Sequence, residues 1–286
     1  MRLGLFSDDQ VFLVNMDVPV ICAYCKQETI PTREHVIPAF LYKFQKEFES
    51  KVVGWNEVAE KMVGGEQTVR DVCQVCNGLK LSPLDDYGKK LLIENGILKQ
   101  NYDKLSIDFN HNYDCLVRWL LKISFNSSRT DNAHAPLFEK FIPFMLNGKN
   151  PPTKNEIVVI GSLAAPLLVN ELKGGYEVFK DLAGPNGRIN PFFVRIGYGP
   201  NYSKNHILRI VMFGPLIFSI LIFMPGTSAG AASIETKQLL KKSLPEGTLL
   251  SPKRSRVLLN SGKVTWIDYY GAQVMRARTL EALRAK

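Results

Sequence analysis

The rhythm of apolar and polar positions changes about halfway along the chain. Up to residue 150 the apolar residues recur mostly at helical spacing. In Ala39–Phe48 (AFLYKFQKEF) they fall at 40, 41, 44 and 48, which predicts an amphipathic helix. Val11–Ile21 reads as a strand or extended lead-in, and Glu34–Ile37 as a short β-like piece ended by Pro38. Residues 50–68 are mixed and contain Gly64-Gly65, which predicts a loop or small insertion. Cys76–Leu81 looks like a helical turn. Ser82-Pro83-Leu84-Asp85 then has the order of a fresh helix start, with Ser as cap, Pro in the first helical position and an acid soon after. That helix is predicted to run to about Glu94, with Gly96 just beyond it. Asn112–Phe125 and His134–Leu146 are further predicted helices, the second interrupted or kinked near Pro143.

Asn150-Pro151-Pro152-Thr153 reads as a linker, and the texture beyond it is different. EIVVIG, PFFVRIGYG, ILRIVMF, LIFSILIFM and KVTWIDYY all read as strands, while Glu235–Lys242 and Val274–Ala285 read as helices. The longest apolar stretch, Ile207–Met224, has the length of a membrane span. Arg209 interrupts it and Gly214-Pro215 sits at its centre, so two buried strands joined by a turn fit better. The pattern gives an α+β chain in three parts: residues 1–96, a helical connector over 97–150, and a mixed α/β domain with a strand-rich core over 151–286.

Composition adds class, and charge adds asymmetry. Apolar residues make up 45% and charged residues 22%, as in a folded globular protein and not a disordered one. Asp8 and Asp9 break the first apolar run too early for a secretory signal, so a cytoplasmic location without membrane association is expected. The net charge is +9, unevenly placed: residues 1–150 hold 18 Lys+Arg against 19 Asp+Glu, and residues 151–286 hold 18 against 8. A polyanion such as DNA would be drawn to the second half, although a solvated basic surface has the same composition.

Five cysteines are too few for a disulfide scaffold at this length. Four of them form two pairs, Cys22-Ala-Tyr-Cys25 and Cys73-Gln-Val-Cys76, separated by 47 residues. Each pair can form a knuckle that aims two thiolates at one ion, and two knuckles give the four-sulfur tetrahedron of structural zinc. A redox dithiol would need only one pair. Cys115, in the helical context DCLVRWL, reads as a buried core thiol.

Between the knuckles lies Thr32-Arg33-Glu34-His35-Val36-Ile37-Pro38, and after the second come Asn77 and Lys80. An acid-His pair followed by two apolar residues and Pro, set between two Cys-x-x-Cys pairs, the second followed by Asn, resembles the HNH (ββα-metal) endonuclease family over residues 20–90. The resemblance implies an N-terminal ββα-metal nuclease core stapled by zinc on Cys22, Cys25, Cys73 and Cys76. It implies His35 as general base, and Glu34 and Asn77 as ligands of a catalytic magnesium or manganese ion. Arg33 and Lys80 become candidates for phosphate contacts. The chemistry suits these residue types: imidazole titrates near neutrality, and carboxylate and amide oxygens are hard ligands. Neighbouring residues on an extended segment point opposite ways, so Glu34 and His35 could serve two sides of one site.

The sequence departs from the family pattern in three places. Thr68, Val69, Arg70 and Asp71 occupy the stretch where an asparagine usually orients the His-bearing segment, Asn77 stands where the family's last His is common, and Glu34 replaces the commoner Asp. Asp85 is either a site-ordering group or a helix-start acid. The expected activity is phosphodiester hydrolysis on DNA, in a restriction or phage-defence setting by the family's habits, with a homodimer as one way to cut both strands. The alternative is a zinc-stapled nucleic-acid- or protein-binding module without catalysis.

Overall fold

The computed structural model describes residues 18–47, 53–56, 61–64, 66–131, 134–173, 175–200 and 203–271. Most of the predicted lead-in before Val18, the helix predicted over Val274–Ala285 and the basic residues Arg276, Arg278, Arg284 and Lys286 lie outside them. The chain is a mixed α/β protein built around one broad sheet, with the cysteine cluster set against the sheet's helical face.

The N-terminal part begins with a small hairpin, β1 (Val20–Ile21) and β2 (Glu28–Thr29), which carries the first cysteine pair in its turn. β3 (Thr32–His35) leads through Pro38 into α1 (Ala39–Lys46). The expected loop over 50–68 contains a second hairpin, β4 (Val53–Asn56) and β5 (Lys61–Gly64). β6 (Thr68–Val72) returns antiparallel to β3, pairing Glu34 with Val69 and His35 with Thr68. A π-helical turn, Val75–Leu81, then runs directly into α2 (Ser82–Glu94).

The middle segment is helical except for β7 (Ser106–Asn110), a strand the helical pattern did not show. α3 (Tyr113–Asp131) is the longest described helix, and the Asn112 side chain accepts the Cys115 N–H at its start. Cys115 itself is only partly buried. The helix predicted over His134–Leu146 is split into α4 (Pro136–Glu139) and α5 (Ile142–Asn147), because Pro143 is tolerated only in a first turn.

Beyond residue 150 come β8 (Ile157–Ala165), β9 (Leu167–Leu168), β10 (Arg188–Ile189), β11 (Val194–Tyr198), β12 (His206–Phe213), β13 (Leu216–Phe223), α6 (Ala229–Lys242), β14 (Thr248–Leu249) and β15 (Arg256–Thr265). The sheet runs β11-β12-β13-β8-β15-β7, with β14 also on β8. Neighbours are antiparallel except β15 and β8, which are parallel. The expected strand KVTWIDYY is therefore corrected: β15 starts earlier and stops at Thr265. The Asp268 carboxylate accepts both the N–H and the hydroxyl of Thr265, which turns Ile267–Gly271 into a helical turn.

The apolar stretch Ile207–Met224 is the centre of this sheet. Val211 and Phe213 on β12 and Phe218, Ile220 and Ile222 on β13 face the helical side, while Leu208, Ile210, Met212, Ile217 and Leu221 face the side of α6. Burial on both faces explains why both strands read as continuous apolar runs. The turn between them places Gly214 at φ +54, and a Cβ there would lie 2.6 Å from the Phe192 ring. Among the described residues no helix is long and apolar enough to cross a membrane.

One buried cluster runs from Cys22 and Val72 through Leu116, Leu120 and Ile123 of α3 to Val159, Phe218 and Leu259 of the sheet. Trp119 of α3 stacks on Phe213 with ring centroids 4.8 Å apart. The indole also lies close to Gly88 of α2, where a Cβ would come within 2.2 Å of it. The helices thus hold the cysteine-bearing part on the sheet.

Candidate functional site

Cys22, Cys25, Cys73 and Cys76 converge, their sulfur atoms all within 4.8 Å of one another. Backbone amides point at them: the Cys73 N–H donates to Cys22 Sγ at 3.4 Å and the Cys76 N–H to Cys73 Sγ at 3.3 Å. Burial works against a thiolate at Cys22, but the amides of Cys25, Cys73 and Tyr24 outweigh it and bring the thiol down to about 7. Burial and the neighbouring sulfurs push Cys76 the opposite way. Four thiols this close resist ionising together unless a cation joins them, and the donor set fits a structural zinc ion.

The cluster is wired to β3 by two asparagines. Asn77, next to Cys76, donates from Nδ2 to Thr32 Oγ1 at 2.8 Å and to the Arg33 carbonyl at 3.0 Å. Thr32 in turn donates to the Val72 carbonyl. This leaves Asn77 Oδ1 without a hydrogen-bond donor among the described residues. Asn126 of α3 works from the other side. It accepts the Tyr24 hydroxyl at 2.6 Å and donates to both Glu34 Oε1 and the His35 carbonyl at 3.0 Å. Burial raises the Tyr24 pKa, so the hydroxyl keeps its proton and remains a donor.

β3 alternates as a strand should. Arg33 is exposed, Glu34 is buried and His35 is partly exposed, so Arg33 and His35 share the outward face. His35 Nε2 lies 2.8 Å from Glu66 Oε2, and Lys46 Nζ lies 3.0 Å from the other oxygen of that carboxylate. Hydrogen bonds from His35 and Lys46 draw the Glu66 pKa below the usual carboxylate value. Lys80 is exposed at the end of the π-helical turn.

Glu34 meets a different partner from the one expected. Its Oε1 lies 2.7 Å from Lys122 Nζ, and the same ammonium lies 2.6 Å from Asp85 Oδ2. Asp85 also accepts the Trp119 indole N–H at 3.1 Å, so it joins α2 to α3 besides standing in a helix first turn. Lys122 is fully buried. Burial opposes its charge, but Asp85 and Glu34 outweigh burial and raise its pKa. An ammonium and an amide thus share Glu34 Oε1.

Of the residues singled out in the sequence, the structure brings together the four cysteines, and it places Glu34 and His35 back to back on one strand with Asn77 bonded to its start. It does not bring Glu34 to an open face. Glu66, Lys122 and Asn126 were missed. Lys122 and Asn126 left a faint signal, two polar residues four apart among the apolar positions of LVRWLLKISFN. The stretch before the second knuckle does other work: Asp71 pairs with Arg129 at 3.1 Å, and Thr68 sits opposite His35 in the ladder. The residue that bonds the His35 carbonyl comes from α3. Compared with protein-family models, curated proteins and solved structures, the chain matches none.

Proposed function

We propose that the chain is a zinc-stapled hydrolase of nucleic-acid phosphodiester bonds with His35 as general base. The observation that carries this reading is the His35–Glu66 pair on the outward face of β3, a strand bonded to the cysteine cluster at both ends. In the neutral ring the proton on Nε2 faces Glu66, which leaves the lone pair on Nδ1 to take a proton from water. The water oxygen then bonds to phosphorus as the bond to the 3′-oxygen breaks; the departing oxygen keeps the bonding pair and takes a proton from solvent, giving 5′-phosphate and 3′-hydroxyl ends, and the imidazolium returns its proton to solvent. Arg33, on the same face, and Lys80 supply positive charge for the phosphate. The +10 excess of residues 151–286 supports a polyanionic substrate such as DNA held largely by that half. A divalent ion has no assigned step here.

A positioned base contributes on the order of 10²–10⁴ in rate. The test is nicking of supercoiled plasmid by zinc-loaded protein, with and without magnesium or manganese, beside His35→Ala. Equal nicking by the variant, or none by wild type under any condition, rejects the hydrolase. The second reading, a zinc-stapled nucleic-acid-binding module without catalysis, is favoured by the engagement of Glu34 with Lys122. Retained DNA binding by a wild type that nicks nothing would select it.

A further inference from the structure

Lys122 is a buried cation held by two carboxylates. It is a fully buried lysine in the middle of α3, and its side chain is 1% exposed. A lone ammonium in such a place would be expelled or neutralised. It is kept by two carboxylates from different elements, Glu34 of β3 and Asp85 of α2, at 2.7 and 2.6 Å. These distances are those of charge-assisted hydrogen bonds. A magnesium ion would need its oxygens at roughly 2.0–2.1 Å and open positions for water. Glu34 is 5% exposed at its side chain, and its Oε1 is shared with the Asn126 amide. The carboxylate that the motif offers to a divalent ion therefore already has a cation, supplied by the chain.

We propose that Lys122 is the resident cation of Glu34, and that the two act as positioning residues for the His35 strand rather than as part of a divalent-ion site. Asn126 completes the arrangement by holding Glu34 Oε1 and the His35 carbonyl with one amide nitrogen. Any movement of the Glu34 carboxylate is thereby felt at the backbone of His35. The pair replaces an exchangeable ion with a fixed one, so the geometry of β3 does not depend on the magnesium or manganese concentration.

This inference concerns the same centre as the proposed hydrolase, but it is read from ion binding and structure and stands whether or not that reading does. Binding of Mn2+ to the zinc-loaded full chain, followed by the electron paramagnetic resonance of the free ion, is compared for wild type and Glu34→Gln. Affinities within twofold of each other are expected. A loss of tenfold or more in a variant that keeps its zinc and its circular dichroism makes Glu34 a metal ligand and overturns the proposal. A second arm uses Lys122→Met, Glu34→Gln and the double variant in urea unfolding, with the His35 ring resonances followed by NMR. Lys122→Met should be the least stable of the three and should shift those resonances. The double variant should recover part of both losses, because it no longer buries the Glu34 charge without its cation. Strictly additive midpoints with unmoved His35 resonances overturn the coupling. If Lys122→Met does not fold, a folded double variant shows the same recovery, and failure of both to fold counts against it. Absence of plasmid nicking rejects the hydrolase and leaves these outcomes unaffected.

Discussion

Asn126 and His35, 91 residues apart, are joined by a partly buried hydrogen bond from the Asn126 amide to the His35 carbonyl. The Asn126 oxygen meanwhile accepts the hydroxyl of Tyr24, which sits inside the first cysteine knuckle. One side chain therefore couples the zinc-binding turn to the strand that carries the proposed base. Asn126→Ala should leave the Tyr24 hydroxyl and the His35 carbonyl without these partners, at roughly 1–3 kcal/mol for a buried polar group left unpaired. Urea unfolding should show that loss. Asn126→Asp would keep the volume but replace the donor with acceptors aimed at Glu34 and the His35 carbonyl, and it should be no better. A variant as stable as wild type would mean that the coupling is weak.

Glu66 should matter to His35 more than its exposure suggests. In Glu66→Gln the uncharged amide no longer favours a proton on Nε2 as a carboxylate does, so the lone pair is less firmly assigned to Nδ1. If the hydrolase reading holds, nicking should fall by about tenfold, well within the range of a general-base contribution. It should fall less than in His35→Ala. Equal nicking by Glu66→Gln and wild type would remove Glu66 from the site.

Zinc should be present at one ion per chain, and its removal should act locally first. Binding free energy at such a site is folding free energy for the segments that it closes. After chelation, or in Cys73→Ser, β3, β6 and the Val75–Leu81 turn should lose amide exchange protection. The fully buried β12 and β13 should keep theirs, since their ladder partners are β8 and β11. Exchange measured by mass spectrometry on peptides from both regions distinguishes this from global unfolding.

Gly88→Ala tests the packing that holds the helices together. The new methyl would meet the Trp119 ring at 2.2 Å, and the indole is pinned between Phe213 and its hydrogen bond to Asp85. Overpacking of this kind costs about 1–3 kcal/mol. The gain in helix propensity from replacing Gly is smaller, about 1 kcal/mol, so the melting temperature should fall.

Acid should weaken the far side of the sheet through Glu235. Burial penalises its charge, but hydrogen bonds from Asn205, His206 and Ser203 outweigh burial and lower its pKa below the usual carboxylate value. A carboxylate with a lowered folded-state pKa contributes stability that is present above its unfolded value and is lost as pH falls through the folded one. Wild type should therefore lose stability on acidification below about pH 4.5. Glu235→Gln should be less stable at neutral pH and show a shallower loss across that window. Parallel stability-pH curves for the two would contradict this.

How much could be read from the chain depended on whether partners were close in sequence. Pro83 marked the first turn of α2, but Ser82 is not its cap: it is already helical, because the π-helical turn runs straight into α2 with Leu81 at the cap position and no side-chain cap. The paired cysteines carried their own spacing, and Gly214-Pro215 marked the turn between β12 and β13. Local pattern did not reveal what Glu34 faces. Lys122 and Asn126 lie about 90 residues away on a helix whose apolar periodicity hides them, and only the packing of α3 on β3 brings them in. Glu66 is 31 residues from His35 and meets it because β6 returns antiparallel along β3. β15 was misplaced because Trp266, Ile267 and Tyr269 look like strand residues, while the deciding group is the Asp268 side chain.

The pairing of β7 with β15 sets a timetable for the ribosome. Residues 106–110 find their ladder partner only in residues 256–260, so about half of the chain must be made between the two. During that interval β8 also lacks its parallel neighbour, and apolar edges stand open to other nascent chains. Slow, chaperone-dependent maturation and aggregation of chains truncated before residue 256 are the expected cost of closing the sheet with its latest strand.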